Sequence, residues 1–166
     1  MYTHDVKMDL STQDRYPNLD KSSGEIIDNL MYRHWDEWED GSYSHVFVSK
    51  VVNGTFTDGD DIMGSDHFDC PQKPDGGAED LVWSPDSKYI VYVCKKLSGV
   101  NYAVSTNTDL YMWSSVTGNT TNLTQGMMGY DVQPTFSPDG KRIAFSSNRN
   151  NHGTRDTNLF VAEWVE

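Results

Sequence analysis

The chain has 166 residues, of which 13 are basic and 25 acidic, for a formal net charge of -12. That balance argues against nucleic acid as a partner, because phosphates demand a basic footprint. Nothing approaches an apolar run of about 18 residues, so no membrane-spanning helix is expected, and the opening residues do not read as a secretory leader.

In chain order, residues 1–6 read as a strand already under way. Residues 7–44 then interrupt the pattern that later segments follow. Residues 14–20, with Tyr16-Pro17-Asn18, are loop chemistry. Ser22 and Glu25 stand at capping-box spacing, and Ile27, Met31, Trp35 and Trp38 follow at helical intervals. This predicts a short amphipathic helix over residues 26–38. The segment Arg33-His34-Trp35-Asp36-Glu37-Trp38-Glu39-Asp40 is dense in charge and aromatic groups. Two readings stand side by side. It is a recognition element whose carboxylates hold a substrate ammonium, or a surface helix whose tryptophans anchor it while its charges face water.

His45-Val46-Phe47-Val48 reads as the next strand. The acidic stretch Asp58-Gly59-Asp60-Asp61, with Asp66 and Asp69, lacks a full calcium-loop ligand pattern, since Ile62 and Met63 stand where a ligand and a glycine belong. We read it as a solvated loop. The five histidines show no paired zinc spacing, and no metal or cofactor is expected. Cys70 and Cys94 allow either a disulfide or two separate thiols, and the latter is favoured. Asn53-Gly54-Thr55, Asn119-Thr120-Thr121 and Asn122-Leu123-Thr124 fit the glycosylation triplet, which matters only in a secretory host.

The phrase Trp83-Ser84-Pro85-Asp86-Ser87-Lys88 then recurs as Phe136-Ser137-Pro138-Asp139-Gly140-Lys141. Proline presets φ for a tight turn, Asp tolerates the bridge region, and Gly supplies a left-handed residue. In the first copy Ser87 takes the glycine's place, which predicts a non-glycine residue at positive φ at a cost of about 1 kcal/mol. The flanks are β-branched and aromatic. Tyr89-Ile90-Val91-Tyr92-Val93-Cys94 is apolar on both faces, the mark of a sheet covered on both sides. A third strand follows in each copy, at residues 109–113 and 158–161, and a fourth in the first copy at residues 120–124.

Repetition of one turn phrase in one phase favours a β-propeller over a β-sandwich. The fold class expected is therefore all-β, a partial propeller of two and a half to three four-stranded antiparallel blades, with a short helical insertion near residues 25–39. Residues 1–57 form an incomplete blade with the insertion at 7–44, residues 58–126 a complete blade preceded by a loop, and residues 127–166 an incomplete blade. At about 45 to 50 residues per blade the chain is expected to be a fragment of one propeller domain, prone to self-association through exposed blade faces. No G-x-S-x-G nucleophile elbow occurs; Gly41-Ser42-Tyr43-Ser44-His45 lacks its second glycine. No nucleophile, base and orienting acid can be assembled, so no catalytic residue is assigned.

Aligned, the repeats resemble the TolB-like propeller repeat, which also builds the N-terminal domain of prolyl oligopeptidase family peptidases. The match sharpens at Leu30-Met31-Tyr32-Arg33-His34-Trp35-Asp36-Glu37-Trp38 and Tyr43-Ser44-His45-Val46-Phe47-Val48. It continues at Cys94-Lys95-Lys96-Leu97-Ser98-Gly99, Tyr102-Ala103-Val104-Ser105-Thr106-Asn107-Thr108-Asp109 and Gly126-Met127-Met128-Gly129-Tyr130-Asp131. These segments resemble the dipeptidyl peptidase V and acylaminoacyl-peptidase-like branch of that family. The resemblance implies a parent whose C-terminal α/β-hydrolase domain carries the catalytic Ser, Asp and His, in a periplasmic or secreted location. The propeller would gate access and help recognise peptide substrates. Dipeptidyl peptidases also bind the substrate's free amino terminus with propeller acids. Asp36, Glu37 and Glu39 are the candidates here, with Arg33 and His34 beside them. The alternative is a non-enzymatic TolB-like module of the cell envelope that binds a partner protein.

Overall fold

The computed structural model describes residues 1–165. The chain divides into two compact units, Met1–Asp69 with Leu97–Ser105, and Cys70–Lys96 with Thr106–Glu166.

In the first unit β1 (Tyr2–Lys7) pairs antiparallel with β4 (Ser42–Val48), with Tyr2 opposite Phe47 and Lys7 opposite Ser42. Strand β4 then pairs with β7 (Asp60–Asp61), closing a three-stranded sheet of order β1-β4-β7. Between β1 and β4 lie a one-turn helix, α1 (Thr12–Arg15), and a hairpin of β2 (Arg33–His34) and β3 (Glu37–Trp38). A second small hairpin joins β5 (Val51–Val52) to β6 (Thr55–Phe56).

The second unit carries the repeat. Strands β8 (Leu81–Trp83), β9 (Tyr89–Cys94), β10 (Asp109–Ser114) and β11 (Thr120–Asn122) form one antiparallel sheet of order β11-β10-β9-β8. Strands β12 (Val132–Phe136), β13 (Arg142–Ser147) and β14 (Asn158–Glu163) form the next. A helical turn, α2 (Gly99–Val104), interrupts the link from β9 to β10 and belongs to the first unit.

The repeated phrase builds the same turn twice, bond for bond. Ser84 Oγ donates to Asp86 Oδ1 at 2.6 Å, and Ser137 Oγ donates to Asp139 Oδ1 at 2.6 Å. The Lys88 and Lys141 amides each donate to that Asp at 3.1 Å. The serine oxygen in turn accepts the amide of Tyr89 or Arg142 at 2.9 Å. These contacts hold both Asp86 and Asp139 below the ordinary aspartate value, the serine hydroxyl contributing most. Ser87 sits at φ 61° and Gly140 at φ 69°, the left-handed residue the turn requires.

Both sheets contribute to one core. Val91, Val93 and Leu110 from one pack with Val132, Ile143 and Phe145 from the other, with Met112, Phe136, Phe160 and Trp164 at the margin. Residues Ile90 to Cys94 are fully buried, as a strand apolar on both faces must be. Trp164 meets Phe136 edge-on at 4.8 Å and Tyr89 at 5.6 Å. A bulge between Val132 and Thr135 places Gln133 at φ 57°, where the buried Asp80 carboxylate accepts its amide at 3.1 Å. Burial pushes the Asp80 carboxyl up, against the pull of that bond. Successive antiparallel sheets packed face to face are consistent with the all-β partial propeller expected. Cys70 and Cys94 are buried thiols, not a disulfide.

The helical insertion near residues 25–39 is corrected. Residues 23–29 carry no regular structure, and residues 33–38 form the β2–β3 hairpin. The capping box belongs instead to Ser11 and Asp14 at α1, while Ser22 Oγ accepts the amide of Gly24 at 3.2 Å. A helix this short is marginal unless one face is buried. Ile26, Ile27, Met31 and Trp35 are all exposed, so nothing is available to bury that face.

Candidate functional site

The first unit builds a cleft of about 520 Å³ from the segments that interrupt the repeat. Its floor is tied down at the end of β1, where the Met8 and Asp9 amides both donate to the Gly41 carbonyl at 2.9 Å. Lys7 reaches Asp14 at 2.9 Å and the Asp40 carbonyl at 2.5 Å. The irregular segment that replaces the expected helix is strung along α1 by polar contacts. The Ile26 amide donates to Thr12 Oγ1 at 2.8 Å, and Arg15 pairs with Asp28 at 3.0 Å.

The β2–β3 hairpin supplies a wall. Arg33 lies opposite Trp38 and His34 opposite Glu37. Trp35 turns the chain at φ 52°, and the Glu39 amide closes on the Tyr32 carbonyl at 3.0 Å. The buried His34 ring meets Glu39 Oε1 through Nδ1 at 2.6 Å and Tyr102 of α2 edge-on at 6.3 Å.

A second cluster lies on the same cleft. Tyr43 Oη donates to Asp9 Oδ2 at 3.0 Å, and His67 Nδ1 meets the same oxygen at 3.0 Å. The His67 hydrogen bond is the largest cause holding the Asp9 carboxyl below its ordinary value. Burial first, and then the Asp9 carboxylate, pushes the Tyr43 phenol up. The lining includes Asp9, Glu25, Asp28, Glu39, Asp40 and Asp69, against Arg15 as the one Lys or Arg and the histidines His34 and His67. Tyr32, Trp38, Tyr43 and Tyr102 supply aromatic faces. Such a cleft suits a cation with an apolar body.

Of the residues singled out from sequence, His34 and Glu39 come together on this cleft, whereas Asp36 and Glu37 are exposed and outside its lining. Arg33 lines a second cavity. Sequence reading missed Asp9, Tyr43 and His67. Asp9 and His67 are 58 positions apart, and no motif links them. Asp61, in the acidic stretch, receives the buried His45 ring at 2.8 Å and the Met63 and Gly64 amides at 2.8 and 3.1 Å, so that loop is organised by its own turn.

Dipeptidyl-peptidase 5 of Porphyromonas gingivalis is 44% identical over 164 residues, 98% of this chain and 24% of that protein. The chain is homologous to a segment of dipeptidyl-peptidase 5. The Porphyromonas endodontalis protein of that name is 45% identical over 147 residues, 89% of this chain and 21% of its own length. That of Aspergillus fumigatus is 28% identical over 140 residues, 75% of this chain and 19% of its own. The chain thus spans about a quarter or less of the curated relatives it matches. No protein-family model matches it. The resemblance to dipeptidyl peptidase V-like enzymes read from the sequence is the one these dipeptidyl-peptidase 5 relatives bear out.

Proposed function

We propose that the chain is a non-catalytic propeller segment of a serine exopeptidase that admits short peptides and helps to hold their free amino terminus. The catalytic Ser, Asp and His belong to an α/β-hydrolase domain of the parent, in a periplasmic or secreted setting. Residues 1–57, 58–126 and 127–166 are successive blade portions of one propeller domain. On its own the chain associates through blade faces that the parent covers.

The observation that carries the recognition role is Glu39. It is oriented by His34 at 2.6 Å and lines an acidic, aromatic cleft that Asp36 and Glu37 do not line. A carboxylate held in place and partly shielded binds an ammonium better than one moving freely in water. In the full-length enzyme, Glu39→Gln raises KM for substrates with a free amino terminus by about tenfold or more, the size of one charge-assisted hydrogen bond. Substrates with blocked amino termini are unaffected, and Asp36→Asn and Glu37→Gln change KM less than about twofold. Equal effects of Glu39→Gln on free and blocked substrates would refute the assignment.

A further inference from the structure

We propose that the second cavity of this unit binds the apolar carboxy-terminal residue of a short peptide, with the peptide carboxylate on Arg33. This goes beyond the amine-binding role of the first cleft and does not depend on it. The cavity, of about 550 Å³, shares Leu30, Met31, Tyr32 and Trp38 with the first but has none of its acids. Arg33 is its one charged lining residue.

The state of Arg33 is what points to a ligand. Its guanidinium lies over the Trp38 ring, 5.4 Å from the centroid, and Tyr32 stacks on the same indole at 5.9 Å and 20°. A guanidinium held over an aromatic face still has an N–H edge to offer a ligand. Among the described residues that edge has no ion-pair or hydrogen-bond partner. The planar fork matches a carboxylate through two parallel bonds.

The rest of the lining specifies the body of the ligand. Trp35 is 77% exposed and Trp38 50%, and Met31 and Ala103 complete an apolar rim. Exposed aromatic groups gathered at one cavity mark a binding surface more often than chance exposure. A phosphate would call for more positive charge than a single arginine supplies. The volume accommodates one apolar residue and its terminal carboxylate.

The probe is N-acetyl-L-phenylalanine, which has a blocked amine, an apolar ring and a free carboxylate. It is titrated against the chain while the indole N–H signals of Trp35 and Trp38 are followed by NMR. It binds about tenfold more tightly than N-acetyl-L-phenylalaninamide, and the difference shrinks as salt rises. Arg33→Gln brings the two affinities to within about twofold with the backbone spectrum otherwise unchanged, and Arg33→Lys leaves an intermediate preference. L-phenylalaninamide, with an amine and no carboxylate, reports the first cleft through the Tyr43 and His67 ring signals, which the second cavity lacks, while Trp35 reports the second alone, so either assignment can fail alone. Equal binding of acid and amide, no saturable shift of either indole, or a preference that persists in Arg33→Gln overturns the proposal.

Discussion

The two units make structure in opposite ways. In the second, a phrase used twice generates two sheets whose turns agree hydrogen bond by hydrogen bond, and the sheets bury Val91, Val93, Leu110, Ile143 and Phe145 between them. In the first, the residues between β1 and β4 bury few side chains. They are held by point contacts such as Arg15 to Asp28 and the Ile26 amide to Thr12. Regularity bought a core in one region, and its interruption left an open, charged cleft in the other. Charged and aromatic side chains gather where the repeat is broken because the repeat leaves no room for them.

The sharpest test of that contrast is the polar network inside the repeat unit. Asp131 is fully buried, accepts the Ser147 hydroxyl at 2.6 Å and pairs with Arg149. The Arg149 guanidinium also lies over the Phe145 ring at 5.0 Å and the Phe160 ring at 5.4 Å. Asp131→Ala strands a buried arginine and lowers stability by about 3–5 kcal/mol, read as a lowered urea midpoint. Asp131→Asn keeps one acceptor and costs less. Truncating Arg15 in the first unit, an exposed pair with Asp28, costs less than about 1 kcal/mol. If both substitutions cost the same, the two units do not differ in the way described.

A reciprocal exchange probes the repeat itself. Ser87 and Gly140 occupy equivalent positions at φ 61° and 69°. A side chain at Gly140 would find Pro85 no nearer than 3.7 Å, so backbone conformation alone decides its effect. Ser87→Gly stabilises by about 1 kcal/mol and Gly140→Ser destabilises by about as much. Thermal unfolding of the two single variants and the double exchange measures both, and the double variant returns close to the parent. Shifts of the same sign for both singles would break the equivalence of the two turns.

The same contrast explains what could be read from sequence. The turn phrase was legible because its chemistry is local: Pro, Asp and Gly at fixed offsets dictate one backbone path, and even the strained Ser87 followed from its place in it. The double-faced apolar run from Tyr89 to Cys94 likewise announced a strand covered on both sides. The insertion misled because Ile27, Met31, Trp35 and Trp38 satisfy a helical period with no surface to bury against, and period without burial carries little weight. Glu39 and His34 were within reach as neighbours in a dense segment. Asp9, Tyr43 and His67 were not, since they meet only once β1 and β4 pair and the chain returns after β7.

The smallest effect expected lies at the exposed edge of the first unit. Asp14 closes the capping box of α1 and pairs with Lys7 at 2.9 Å. The Lys7 contact first, and then the Ser11 hydroxyl and amide, lower its carboxyl from 3.8 to about 2. A carboxyl whose pKa is depressed in the folded chain adds stability above its unfolded value and loses it as pH falls through the folded one. The Lys7–Asp14–Ser11 contacts should therefore be intact above pH 3.8 and dissolve toward about pH 2. NMR titration of the Asp14 carboxyl carbon, with the Ser11 amide followed alongside, reads both events. In Lys7→Met the Asp14 midpoint rises toward 3.8 while the core amides of the repeat unit stay unmoved over the same range. A midpoint that ignores Lys7 would show that the cap alone holds this corner, and that the first unit relies on fewer point contacts than its geometry displays.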